Sequence, residues 1–467
     1  MQIVPELARP SLRPHRLRFL QSIRWRAGLT VLLFASILIF CSFAQAQDES
    51  GKAASDENWI ATWGCAPGFA IGEEISNQTI RQFARISVGG KRVRIRLSNE
   101  TGTQPLVIGA AHLALAGSEK GSIDPSSDHV LTFNGSPTIT VAAGAPVLSD
   151  PVDLEVRPLT TLAISLHITR DTGAAVIHPL ANQTTYLSQS GDQSGATTIA
   201  DATTVTERYF LTRIEVSSPN DAGTIVALGD SITDGRGSTF DANRRWPDRL
   251  AERLSERGLA LGVVNAGMAG NRILHDLPEM VCGPSSLSRF DRDVLSVPGA
   301  QFVVVLQGVT DIAHPSLNSL PEQAVSAEQI VGGLKQLITR AHARHLKVFG
   351  ATLLPSEGEA MYTEEGEAKR RAVNDWIRTS EAFDGVLDFD AAVRDSIIQR
   401  DFVLNTTPET TDIPTMPAIA QLETPSICSC LLSRSVRTWP TLAISISAIA
   451  DARYGSNRKI SVRSAKR

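Results

Sequence analysis

The sequence predicts an α/β domain on a parallel sheet with helices on both faces, preceded by an all-β sandwich or jelly roll. Three observations predict it. From Trp59 to about Ser217 apolar and polar residues alternate with period two, and helix-length patterns are scarce. After Pro219 short, wholly apolar runs alternate strictly with amphipathic stretches. At 42% hydrophobic, the 467 residues hold enough apolar surface for two ordinary domains and a small third. The same fraction excludes an intrinsically disordered chain. The 45 basic and 49 acidic side chains give a net charge of −4, which leaves no broad basic field for nucleic acid.

Residues 1–46 read as an export signal. Arg9, Arg13, Arg16, Arg18, Arg24 and Arg26 precede an apolar run from Leu29 to Phe43, and Ala44-Gln45-Ala46 ends it as a small-x-small cleavage site. The run falls short of the ~20 residues of a spanning helix, and an uncleaved anchor is the alternative to a cleaved signal. The expectation is a secreted or periplasmic chain with no stable membrane span after signal cleavage. An oxidising compartment permits disulfides among Cys65, Cys282, Cys428 and Cys430. Buried free thiols at Cys65 and Cys282 are the equal alternative.

Residues 59–217 form the expected β domain. Val93, Ile95 and Leu97 alternate with Arg92, Arg94 and Arg96, the pattern of a strand with one buried and one solvated face. Leu162, Ile164, Leu166 and Ile168 repeat it against Ala163, Ser165 and His167, which places His167 on the solvated face. Gly89-Gly90, Asn134-Gly135 and Gly144-Ala145 mark turns. Residues 222–404 form the expected α/β domain. Its strands are Ile225 to Leu228, Val263-Val264, Phe302 to Leu306, Leu346 to Phe349 and Val386-Leu387, each apolar enough for burial on both faces. Trp246, Leu250 and Leu254 give one helix its apolar stripe, and Ile330, Leu334, Leu337, Ile338 and Ala341 another. Residues 405–467, broken by Pro408, Pro414, Pro417 and Pro425 and closed by a basic stretch from Arg458 to Arg467, read as an atypical, poorly ordered tail.

Ligands of such sheets lie beyond the carboxyl ends of the strands. There the first strand runs into Gly229-Asp230-Ser231-Ile232-Thr233-Asp234-Gly235. A serine on a sharp strand-to-helix turn can present both its hydroxyl and its own N–H to a carbonyl, although serine is also a favoured helix cap. The second strand ends in Asn265-Ala266-Gly267-Met268-Ala269-Gly270-Asn271-Arg272, and the third in Gln307-Gly308-Val309-Thr310-Asp311-Ile312. The first block has neither the glycine spacing of a dinucleotide loop nor a Gly-Lys-Ser/Thr phosphate loop, which counts against nucleotide binding.

Together these blocks resemble the SGNH, or GDSL, family of serine esterases, and within it the secreted branch with an N-terminal β-rich domain. Asp241-Ala242-Asn243-Arg244-Arg245-Trp246-Pro247-Asp248 extends the likeness, which spans roughly Trp59 to Asp395. The resemblance implies a flavodoxin-like sheet, Ser231 as nucleophile, and the Ser231 and Gly270 amides as oxyanion donors. It implies no metal and no organic cofactor, and a small-molecule or polysaccharide ester as substrate, with deacetylation of plant cell-wall polysaccharide or related acyl groups as the reaction.

Two departures accompany the likeness. The family's third oxyanion donor is an asparagine, and here Thr310 stands in its place. The family's general base comes from a late Asp-x-x-His motif, yet none of the nine histidines follows His345, and three residues beyond Asp412 stands Thr415. His314, near the third strand end, is expected to face substrate or to support the site, while His342 and His345 lie at the wrong end of the sheet. A tail translated out of the ancestral frame from about Asn405 accounts for the missing motif. The run Thr411 to Ile427 can be encoded by codons whose shifted frame restores a His and a Gly-Tyr pair. An inserted or divergent tail is the alternative. The competing functional reading is a catalytically inactive carbohydrate-binding relative.

Overall fold

Strand Val93–Asn99 realises the first alternation: Val93, Ile95 and Leu97 are fully buried, and Arg92, Arg94 and Arg96 are half-buried. The computed structural model describes residues 57–219, 221–277, 282–359 and 361–393. The export signal, the tail after residue 404, Asp412, Thr415, Cys428 and Cys430 lie outside them. In the β-rich half an antiparallel sheet runs in the order Trp59–Gly64, Leu211–Ser217, Val93–Asn99, Ala145–Leu148. A larger antiparallel sheet runs Thr203–Val205, Thr185–Leu187, Gln78–Arg85, Thr161–Ile168, Leu106–Leu115, His129–Val130. Ile95, Leu97, Ile214 and Val216 from the first sheet share one core with Ile80, Ile108, Leu113, Ile164 and Leu166 from the second. That is sandwich packing.

One expectation fails in this half. The second face of Thr161–Ile168 is not solvated: Ala163 and Ser165 are 1% and 2% exposed. The strand is central, and Ala163 joins Phe83, Ala114 and Ile123 in a second small core. Arg81, itself fully buried, donates from Nε to Ser165 Oγ at 2.8 Å and from its terminal nitrogens to the carbonyls of Thr197 and Ser194. A buried guanidinium with every arm committed is tolerable where an open one is not. His167 is half-buried, with Nε2 3.3 Å from Asn77 Oδ1.

The second half is a five-stranded parallel sheet in the order Leu261–Gly267, Gly223–Gly229, Ala300–Leu306, Lys347–Ala351, Gly385–Leu387. In chain order this is 2-1-3-4-5, the flavodoxin-like arrangement with its switch point beside the first strand. Helices Trp246–Glu256, Ala327–His342 and Glu364–Thr379 connect the strands. Their apolar stripes are the expected ones, with Leu250 and Leu254 buried on the first and Ile330, Leu334, Leu337 and Ala341 on the second. His342 ends its helix and pairs with Asp384 at 2.8 Å, at the strand-entry end of the sheet.

The two halves share hydrogen bonds. Ala61 N–H donates to Pro298 O at 3.0 Å, Thr224 Oγ1 to Ala61 O at 3.0 Å, and Val263 N–H to Ser87 Oγ at 2.8 Å. No helix among the described residues is long and apolar enough to cross a membrane.

Candidate active site

All three sequence-predicted site residues follow neighbouring parallel strands at the switch point. Gly229 is in register with Gly267 on one side and Leu306 on the other. Ser231, Gly270 and Thr310 therefore lie two, three and four residues past one level of the sheet. Sequence alone could place each on a strand end, but the strand order makes them neighbours.

Ser231 opens the one-turn helix Ser231–Asp234 and is 4% exposed. Asp230 caps the helix, accepting Ile232 N–H at 3.0 Å, and Gly235 ends it at φ +112, a left-handed value that glycine adopts without strain. The cap is thus Asp230, which leaves the Ser231 side chain unneeded for capping. The Ser231 hydroxyl and amide make no hydrogen bond among the described residues. Burial pushes the Asp230 carboxyl up to about 7, with Asp311 and Asp234 adding to the rise against the Ile232 amide and Arg289.

Gly270 lies in the turn Met268–Asn271 at φ +72, and a Cβ there would meet Cys282 Sγ at 2.3 Å and His314 Cε1 at 3.2 Å. Only glycine fits both the angle and the space. The neighbouring amides are all taken: Met268 N–H by Gly229 O at 3.1 Å, Ala269 N–H by Asp234 Oδ2 at 2.8 Å, and Asn271 N–H by Met268 O at 3.0 Å. The Gly270 amide has no partner among the described residues. Groups left open in a turn that otherwise satisfies itself are available to a ligand.

Thr310 is 3% exposed, and its hydroxyl donates to the carbonyl of Asn271. Its single proton is committed to the turn beside Gly270. Gln307 Nε2 donates to the same carbonyl at 2.5 Å. Asp311 accepts the amides of Ile273 at 2.8 Å and Leu274 at 3.1 Å, and burial pushes its carboxyl up to about 6 despite them. The third block thereby holds the second. His314, on helix Val309–Leu317, stands against Gly270 with a buried Nδ1 that has no partner among the described residues. Burial first, then Arg272, pushes its pKa down to about 4. It is neutral at pH 7, and so low a proton affinity makes it a poor general base.

Sequence reasoning missed three contributors. Asn271 is the hub of its turn, with Nδ2 donating to Cys282 O and Pro284 O, both at 2.8 Å, and Oδ1 accepting from Ser286 Oγ and Arg289 Nε. Arg289, 1% exposed, clamps the strand ends by donating to Ala266 O at 2.7 Å and Gly229 O at 3.1 Å while paired with Asp293 at 3.0 Å. His178, from the β-rich half, pairs with Asp234 at 2.8 Å. No local signal marks any of them as part of the site: the Arg289–Asp293 pair is local, but the contacts that reach the turns and strand ends span 11 to 60 residues. Cys65 carries a free thiol, pushed up to about 12 by burial, with Sγ donating to Leu211 O at 3.3 Å. Among the described residues no group of three or more His, Cys, Asp or Glu is placed to hold a metal.

Known proteins bear on this geometry. The GDSL-like lipase/acylhydrolase family model matches residues 227–409. No curated protein matches the chain. Among solved structures it is similar to AlinE4, a SGNH-hydrolase family esterase, at 17% identity over 47% of this chain and 100% of that one, with a TM-score of 0.31. It is also similar to LAE5, an alpha/beta hydrolase enzyme from the metagenome of Lake Arreo, Spain (21% identity, 43% and 93% covered, TM-score 0.31). A third likeness is to the M. smegmatis aryl esterase (17% identity, 37% and 86% covered, TM-score 0.31). The Gly-Asp-Ser turn and the 2-1-3-4-5 sheet agree with the match of residues 227–409 to the GDSL-like lipase/acylhydrolase family.

Proposed function

We propose that this chain is a secreted carboxylic-ester hydrolase acting through a serine nucleophile. Ser231 Oγ attacks the ester carbonyl, the alcohol departs, and water then releases the acid from the acyl-enzyme. The Ser231 and Gly270 amides steady the oxyanion formed at each step. One observation carries the reading. At the switch point the Ser231 hydroxyl and these two amides lack partners among the described residues, while the amides of Ile232, Met268, Ala269 and Asn271 are all satisfied.

The expected enzyme is slow. With the Thr310 hydroxyl held by Asn271, the oxyanion lacks a third donor, a loss typically worth ~3 kcal/mol or about a hundredfold in rate. No histidine follows His345 to serve as the late general base. The coding DNA around codon 405 tests the frame-shift account of that absence. The proposed substrates are small-molecule or polysaccharide esters carrying a short acyl group, with no metal or organic cofactor taking part. The absent base also favours the second reading, a carbohydrate-binding relative in which Ser231 is idle. Hydrolysis of a short-chain p-nitrophenyl ester separates the two. The esterase reading expects turnover by the wild type and background rates from Ser231→Ala; equal rates from both overturn it.

A further inference from the structure

We propose that His178, carried by the β-rich half, is a positioning residue for the hydrolytic site. Through Asp234 it fixes the Ala269 amide, and with it the direction of the adjacent Gly270 N–H. The inference rests on the oxyanion role proposed above for Gly270.

The chain of contacts is continuous. His178 ends strand Ala175–His178 and is 5% exposed. Its Nδ1 lies 2.8 Å from Ala66 O, and its Nε2 lies 2.8 Å from Asp234 Oδ1. A carbonyl only accepts, so Nδ1 carries a proton. Nε2 then faces a carboxylate, and the imidazolium–carboxylate form gives both ring nitrogens a partner. The second Asp234 oxygen accepts the Ala269 amide at 2.8 Å. Asp234 belongs to the same helical turn as Ser231, and its own amide donates to Asp230 O at 2.9 Å. One carboxylate therefore ties the nucleophile's turn to the turn of the second oxyanion donor, and the histidine from the other half holds that carboxylate in place.

The surroundings suit a fixed part. A Cβ on Gly267 would stand 2.2 Å from Asp234 N, so the two turns pack backbone against backbone. Asn182, four residues after His178, donates to Gly235 O at 2.7 Å, and Asp241 accepts both the amide and hydroxyl of Thr184 at 2.7 Å. The segment from 178 to 184 thus holds the close of the first block, at Asp234 and Gly235, and the loop beyond it, at Asp241. Burial would lower the His178 pKa, but the Asp234 charge and hydrogen bond, with the Ala66 carbonyl, leave it raised. Arg208, whose guanidinium stacks 4.7 Å over the Trp63 ring, is the opposing charge at His178. Cys65, Asp230, Arg245 and Arg289 are the other titratable or charged groups that feel Asp234.

The test compares Asp234→Ala, Asp234→Asn and His178→Ala with the wild type in the same p-nitrophenyl ester assay, alongside hydrogen exchange at the Ala269 amide. Asp234→Ala is expected to lower kcat about 10²-fold, the effect of a donor misplaced by about an ångström, with KM changed less than about threefold and Ala269 protection lost. Asp234→Asn keeps a carbonyl oxygen for Ala269 and turns an NH₂ toward His178, which the neutral imidazole accepts. It is expected to recover most of the rate at about pH 8.5 and at about pH 5.5 alike, because without the Asp234 charge burial and Arg208 keep the imidazole neutral. His178→Ala is expected to lower kcat in the same direction as Asp234→Ala. An active wild type with kcat within twofold in a folded Asp234→Ala, or a folded Asp234→Asn no faster than Asp234→Ala, overturns the positioning role and leaves the esterase reading standing. A wild type no faster than Ser231→Ala overturns both.

Discussion

The turn after the first parallel strand and the turn after the third make opposite use of a hydroxyl. Both follow apolar strands in one register, and both carry the hydroxyl within four residues of the strand end. Ser231 leaves its oxygen without a hydrogen bond among the described residues because Asp230 does the capping. Thr310 gives its proton to the Asn271 carbonyl, and Asp311 holds the amides that follow. One turn is built to meet a ligand and the other to hold its neighbour. A hydroxyl without a protein partner, set beside amides that are satisfied, is free to meet a ligand.

Substitutions can break this comparison, and Ser231→Ala breaks it most. It should reduce ester hydrolysis to the uncatalysed rate, a loss of at least about 10³-fold, while the thermal midpoint stays within a few degrees; turnover at the wild-type rate would remove the distinction between the turns. Gly270→Ala comes next. Its Cβ meets Cys282 Sγ at 2.3 Å at φ +72, so strain of about 1–3 kcal/mol and a fall in kcat of about 10²-fold are expected, read by thermal melting and steady-state kinetics.

A pH series sharpens the comparison by sign. The Asp230 carboxyl is raised to about 7 in the folded chain, so the stability tied to its protonated form is full below about pH 4 and drains as pH rises through 7. His178 is also raised, and its share persists below about pH 6.5 and drains above it as pH passes the folded value. His314, lowered to about 4, works the other way, its share growing between about pH 4 and 6.5, so the Asp230 share is read by difference: from about pH 4 to 7 the Asp230→Asn midpoint should gain on that of the wild type. Thr310→Val gives the smallest effect. Gln307 still donates to the Asn271 carbonyl, so kcat should stay within about threefold and stability should drop about 1 kcal/mol.

What could be read from the sequence was what is local. The five apolar runs became the five parallel strands, and the stripes on Trp246–Glu256 and Ala327–His342 became their buried faces. Gly-Asp-Ser could be read as a reactive turn because its geometry is set within seven residues. Nothing local announced that Ala163 and Ser165 would be covered, since Arg81 and its loop carbonyls come from other parts of the chain. The His178–Asp234 pair spans 56 residues and two sheets, and Arg289 reaches back 60 residues to Gly229 O. Such contacts depend on tertiary packing, within one half for Arg81 and Arg289 and between the halves for His178, which periodicity does not encode. His314 was read as an accessory at the third strand end, and the structure places it against Gly270.

Treating the protein with a fluorophosphonate and mapping the adduct by peptide mass spectrometry asks the central question most directly, because the reagent needs both an exposed, competent hydroxyl and an oxyanion site. Stoichiometric modification confined to Ser231, and absent from Ser231→Ala, is the predicted result. An unmodified Ser231, or an adduct on another residue, would contradict it.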